Sequence, residues 1–287
     1  MSFAQTVLLG ALAGFTIYLG LPVGRLELLT DRARVGLAMF SVGILAFIFV
    51  DVLEHANEIV GGALDAFKSG DASFAHIAAF AALLAGGFTL GSAGLGILER
   101  RMRPGRPTQP PMAGGSDAAA LSVADAARLT EQGENARRRA LQTGVVIATA
   151  IGMHNFAEGL AIGVSARAGA VTLATVLIIG FALHNATEGF GIVGPLGGVT
   201  PSWRWLGLVG LIGGGPTFLG SLVGYEVTSE PLELAFYALA AGAILYVIGE
   251  IWHGMRRYGH RELGLLLLAT GFITGVLTDL VVAYGGG

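Results

Sequence analysis

The residues best suited to chemistry form a repeated hexapeptide. His154-Asn155-Phe156-Ala157-Glu158-Gly159 recurs 30 residues later as His184-Asn185-Ala186-Thr187-Glu188-Gly189. On an α-helix, positions i and i+4 are about 40° apart in azimuth, so His154 shares a face with Glu158, and His184 with Glu188. Asn155 and Asn185 each precede the glutamate by three residues and belong to the same neighbourhood. Two such faces brought together offer two imidazoles, two carboxylates and two amide oxygens. This mixed nitrogen and oxygen set suits Zn²⁺, Fe²⁺, Mn²⁺ or another first-row divalent ion. A lone histidine in an apolar helix is commonly a hydrogen-bonded packing contact, but that reading does not account for a duplicated His, Asn and Glu at one spacing.

The elements that must position these residues are membrane helices. Of 287 residues, 53% are apolar before 46 glycines are counted, and only 13% are charged. Mean hydropathy is +0.69. Such a chain falls outside the ordinary soluble enzymes. A helix crossing the bilayer core needs roughly 20 mostly apolar residues. Eight stretches qualify, at about 4–23, 33–58, 75–98, 140–166, 170–195, 203–226, 231–256 and 262–284. The expected fold is an all-α membrane protein, one transmembrane domain over 1–287 with a single sizeable polar loop at about 99–139. Residues 103–116 of that loop are rich in Pro and Gly and read as disordered, and Ser116 is placed to cap a short surface helix over 117–132. The first stretch lacks the basic leader of a signal peptide and reads as a retained helix.

Charge and cysteine content narrow the function. The net charge of −3 gives no electrostatic case for a nucleic-acid partner. The absence of cysteine excludes disulfides, thiolate metal sites and cysteine nucleophiles. Arginine outnumbers lysine 16 to 1, as in proteins from GC-rich prokaryotic genomes. Of the 17 basic residues, 15 fall in loops on one side of the eight spans, and only Lys68 and Arg167 fall on the other. Because cytoplasmic loops collect Arg and Lys, the long loop is expected in the cytoplasm and both termini outside a cell (inner or plasma) membrane.

The acids behave differently from the bases. Asp51, Glu54, Glu158, Glu188, Glu250 and Asp279 lie within spans with no Lys or Arg at similar depth. An ionisable group there costs about 2.5–3.5 kcal/mol on insertion scales and is normally paired or functional. Asp279 and Glu54 read as interfacial. Asp51, His55 and Glu58 follow i, i+4, i+7 at the outer end of span two, where they could collect an incoming ion. Glu250 and His253 share a face of span seven toward the cytoplasm. In span six, Gly213-Gly214-Gly215-Pro216-Thr217 is predicted to interrupt the helix near the centre.

Two consecutive helices carrying HNxxEG, fourth and fifth of eight spans after a long cytoplasmic loop, resemble the ZIP family of divalent-metal transporters. The resemblance implies a binuclear site in a 3+2+3 bundle, with spans 1–3 and 6–8 as inverted repeats around 4 and 5. It implies His154, Asn155, Glu158, His184, Asn185 and Glu188 as ligands, an exit site at Glu250 and His253, and a homodimer. The chain departs from the family where many members have Pro before the Glu (here Ala157 and Thr187), Met in span two (Leu45), or Glu in span six (Gly215). The expected function is movement of zinc, iron or manganese toward the cytoplasm, with the metal as substrate and no cofactor. An intramembrane metal-dependent enzyme and a metal-gated membrane protein are the alternatives, although HExxH is absent.

Overall fold

A computed structural model describes residues 1–26, 30–102, 123–169, 171–226 and 229–286. Among the described residues all regular structure is helical. Helices α1 (Phe3–Phe15) and α2 (Ile17–Gly20) lead into a 3₁₀ turn, and α3 covers Asp31–Ser69. Helix α4 (Phe74–Thr89) continues through a π turn at Leu90–Gly94 into α5 (Leu95–Met102). Then come α6 (Val123–Arg167), α7 (Val171–Val193), α8 (Trp203–Glu226), α9 (Glu230–Met255) and α10 (Arg261–Gly286). Seven stretches among the described residues are long and apolar enough to cross a bilayer. The remaining expected span, 170–195, coincides with α7, whose 23 residues reach about 34 Å at 1.5 Å per residue.

Two helices outrun their sequence-based limits. The span expected over 33–58 is part of a 39-residue helix that ends only at Gly70, whose φ of 85° is the left-handed cap that glycine adopts without strain. No strong breaker precedes it, and Asp65 pairs with Lys68 at 3.1 Å in its last turns. The Pro- and Gly-rich stretch 103–116 and the Ser116 cap lie outside the described residues. The described part of 117–132 belongs to the first turns of the 45-residue α6.

The helices pack as two groups. Helices α1, α2, α6, α7 and α8 form one bundle, and α3, α4, α5, α9 and α10 form the other. Inside each bundle, glycines let backbones touch. A Cβ added to Gly14 would stand 2.2 Å from the Gly214 carbonyl oxygen, and one added to Gly159 would stand 2.2 Å from that of Thr217. In the second bundle, a Cβ on Gly43 would lie 2.0 Å from the Leu268 carbonyl oxygen, and one on Gly242 would lie 2.2 Å from that of Phe88. Side chains fill more of the seam between bundles, as where Phe156 of α6 meets Phe236 of α9 with ring centroids 4.4 Å apart.

Gly43→Val tests this packing. The added carbons meet α10 backbone, which cannot rotate aside, so the loss should reach or exceed the roughly 1–3 kcal/mol of ordinary overpacking. A clear fall in thermal midpoint of the detergent-purified protein is expected. Gly61→Ala, where nothing lies within 4 Å, should leave the midpoint unchanged or raise it.

The interruption predicted for α8 is absent: the helix runs unbroken from Trp203 to Glu226 with Pro216 inside it. Proline removes one helical hydrogen bond, to the carbonyl four residues back, here Ile212. Neighbouring helices can compensate in a membrane. Gly152 of α6 sits where a Cβ would lie 2.3 Å from the Ile212 carbonyl oxygen. Asn155 Nδ2 donates to the adjacent Gly213 carbonyl at 2.9 Å. Helix α6 thus supports α8 at its weakest turn.

Candidate metal centre

Helices α6 and α7 carry the two hexapeptides, and the glycine closing each one sets its helix against a neighbour. Gly159 abuts α8 at Thr217 and Gly220, while Gly189 abuts α2, with a Cβ position 2.6 Å from the Ile17 carbonyl oxygen. These close approaches fix both helices from behind and leave the His and Glu side chains facing one another.

The juxtaposition centres on Glu158. Its Oε1 lies 2.8 Å from His154 Nε2 on its own helix and contacts His184 Nε2 across from α7. Glu188 Oε1 stands 3.8 Å from His154 Nε2. The two imidazole centroids are 6.1 Å apart. Ligand atoms of His154, Glu158 and His184 all fall within 4.8 Å of one another. His154 and Glu188 are each 1% exposed, whereas the His184 side chain is 15% exposed.

The two asparagines differ. Asn155 Nδ2 donates to Glu188 Oε2 at 3.1 Å as well as to Gly213, so it orients the second carboxylate. Asn185 Nδ2 donates to the Ala13 carbonyl of α1 at 3.1 Å, so its amide nitrogen is committed to helix packing. Glu158 Oε2, Glu188 Oε1, Asn155 Oδ1 and Asn185 Oδ1 are buried without a hydrogen-bond partner. Buried acceptors normally find donors. Those of Glu158, Glu188 and Asn155 belong to one linked group, since His154 meets both carboxylates and Asn155 holds Glu188. The chemical complement of such an electron-rich group is a cation.

A cavity of about 640 Å³ reaches this group. His154, Glu158 and His184 line one part of it, and Asp51, His55 and Asp279 line another. The lining belongs to the middle of α3 and of α7, the C-terminal halves of α6 and α10 and the N-terminal part of α9, so the cavity runs from one end of the bundles to their middle.

Residues 110–248 match the family described as ZIP zinc transporter, a stretch that includes both hexapeptides. Over these residues, a little under half of its length, the chain matches the ZIP family. ZIP members are transporters that carry divalent metal ions across membranes as substrates and are not enzymes, and the apolar helices of this chain are those of a multi-pass membrane protein. No individual curated protein matches the sequence significantly.

Around this ZIP centre the outlying candidates part ways. Asp51 and His55 face the cavity and touch each other, His55 Nδ1 lying 3.8 Å from Asp51 Oδ1. Glu58, one turn further along α3, is exposed and outside the lining. Glu250 is half-buried and His253 exposed on α9 at the opposite end, and neither lines the cavity. Of the family positions that differ here, Leu45 is buried in the core and Gly215 offers no side chain. Ser41 Oγ donates to the Thr187 carbonyl at 2.9 Å, which ties α7 to α3 where many members have Pro.

Three lining residues escaped the sequence reading. Asp279 was expected at an interface, and Glu233 and Tyr237 of α9 drew no attention; all three line the cavity. The Tyr237 ring lies 5.7 Å from that of His55. A signal for Asp279 existed, since no basic residue accompanies it in its span. Glu233 lies in the first turn of α9, where an acid is ordinary helix chemistry.

Proposed function

We propose that the protein carries a divalent transition-metal ion, zinc before iron or manganese, toward the cytoplasm through a centre made by His154, Glu158, His184 and Glu188, with the amide oxygens of Asn155 and Asn185 as weaker ligands. Asp51 and His55, with Glu58 beyond the rim, gather the ion at the outer end. Glu250 and His253 receive it at the inner end. The single observation that carries this reading is the cavity joining Asp51, His55 and Asp279 to the buried centre. A structural metal site would need no such acid-lined approach.

The preference for zinc rests on donor chemistry. Two imidazoles and two carboxylates form a four-coordinate nitrogen and oxygen set of the kind zinc accepts, and no sulfur ligand biases it toward softer ions. The inward direction rests on the distribution of arginine, which favours a cavity mouth on the outer side.

The test is uptake by sealed proteoliposomes reconstituted with the purified protein, offered Zn²⁺, Fe²⁺, Mn²⁺ and Mg²⁺ separately against empty vesicles. Uptake of Zn²⁺ well above that of Mg²⁺ is expected. Equal permeation of all four ions, or none above the empty vesicles, overturns the proposal.

A further inference from the structure

Three hydrogen bonds among the described residues that cross between the two bundles are unevenly placed. Ser41 of α3 donates to the Thr187 carbonyl of α7 at the cavity floor. Arg257 Nη2, past the end of α9, donates to the Pro195 carbonyl past the end of α7 at 3.2 Å. Thr143 Oγ1 of α6 donates to Glu99 Oε1 of α5 at 3.3 Å. All three lie at the floor of the cavity or toward the far end, while the cavity itself parts the bundles at the near end. The chain is therefore held open on one side and closed on the other.

Glu99 stands out among these contacts. It is 4% exposed although it lies in the last turns of α5, beside Arg100 and Arg101, which are exposed. Its Oε2 accepts from Tyr246 Oη of α9 at 2.6 Å, within its own bundle, and its Oε1 accepts from Thr143 of the other. A carboxylate is costly to bury unless its oxygens are partnered. Tyr246 holds one oxygen, and the other reaches across the seam to α6, the helix that carries His154 and Glu158.

We infer that Glu99, oriented by Tyr246, is a latch that holds the inner ends of the two bundles together through Thr143 and thereby keeps the metal centre closed to the cytoplasm while the cavity is open. The inference rests on the transport reading above, because a latch matters only to a protein that exposes its centre to each side in turn. Release requires the Thr143 bond to break along with the Arg257 bond to Pro195, and the bundles then part where Ile251 of α9 now lies against Gly191 of α7.

The chain has no cysteine, so single reporters can be introduced without background. Ile251→Cys places a thiol in the closed seam, where Ile251 is 0% exposed. Ser165→Cys places one in the cavity lining. Both are labelled in metal-free nanodiscs, where each face meets solvent and no assumption about orientation enters. With Thr143→Val, labelling at 251 should speed up by about tenfold, the effect of losing one hydrogen bond to a carboxylate, and labelling at 165 should slow. Tyr246→Phe should act in the same direction. Thr143→Ser keeps the hydroxyl and should restore native rates, whereas a role in packing alone would be disturbed by the lost methyl. Unchanged rates at both reporters in both the Val and Phe variants overturn the latch, as does equal disturbance by Ser and Val. Zinc uptake by the unaltered chain is scored separately, so a failed latch with intact uptake removes only this inference.

Discussion

Glu158→Ala is expected to abolish metal uptake while the protein still inserts and folds. Glu158 Oε1 touches the imidazoles of both hexapeptides, so its removal deletes a ligand and also the group that holds His154 and His184 in one place. Altering groups that merely support a ligand typically costs 10–100-fold in affinity, so losing this carboxylate should reduce uptake at low zinc by more than about 100-fold. Glu188→Ala should have a similar effect, because it frees Asn155 and leaves a single anion at the centre. Monodisperse elution and an unshifted thermal midpoint would establish that the variants are intact. Near-normal transport by either intact variant would mean that the ion takes another route.

The second expectation concerns stoichiometry. Two divalent ions bring four positive charges, whereas Glu158 and Glu188 supply two negative ones, and an uncompensated pair of charges in an apolar interior is very costly. The neighbouring positions add no negative charge: Asn155 and Asn185 offer only neutral amide oxygens, and Gly215 has no side chain. One ion should therefore bind tightly at the centre, and any second should bind at least about 100-fold more weakly, the penalty for two unbalanced charges. Equilibrium dialysis with elemental analysis would measure this on a chain stripped of Asp51, His55, Glu58, Glu250, His253 and Asp279. Two ions of similar affinity would require an anion not counted here, such as a bound hydroxide.

Much of the centre was legible because it is local. His154 with Glu158, and His184 with Glu188, are matched by helical pitch, and the apolar composition left a membrane helix as the only suitable support. What sequence left open depends on how distant helices meet. Asp279 and Glu233 join the cavity because α10 and α9 lean on α3, and nothing near either residue records that. Glu99 falls just past the span expected at 75–98, and the hydroxyl that meets its carboxylate comes from Tyr246, 147 residues away. The run Gly213 to Pro216 misled for the opposite reason. It is a genuine local weakness, but Gly152 and Asn155 repair it from another helix.

The unequal exposure of the two histidines has a kinetic consequence. His184 is 15% exposed and His154 1%, so on the proposed reading an ion arriving from the cavity meets the α7 imidazole first, while still carrying much of its water. It can reach His154 only by moving deeper, past Glu158, and shedding the rest of that shell. Capture is then stepwise, with a fast outer encounter followed by a slower dehydration, and ions that release water sluggishly should stall at His184. Discrimination against magnesium, whose shell is tightly held, would then come from the order in which ligands are offered as much as from their identity.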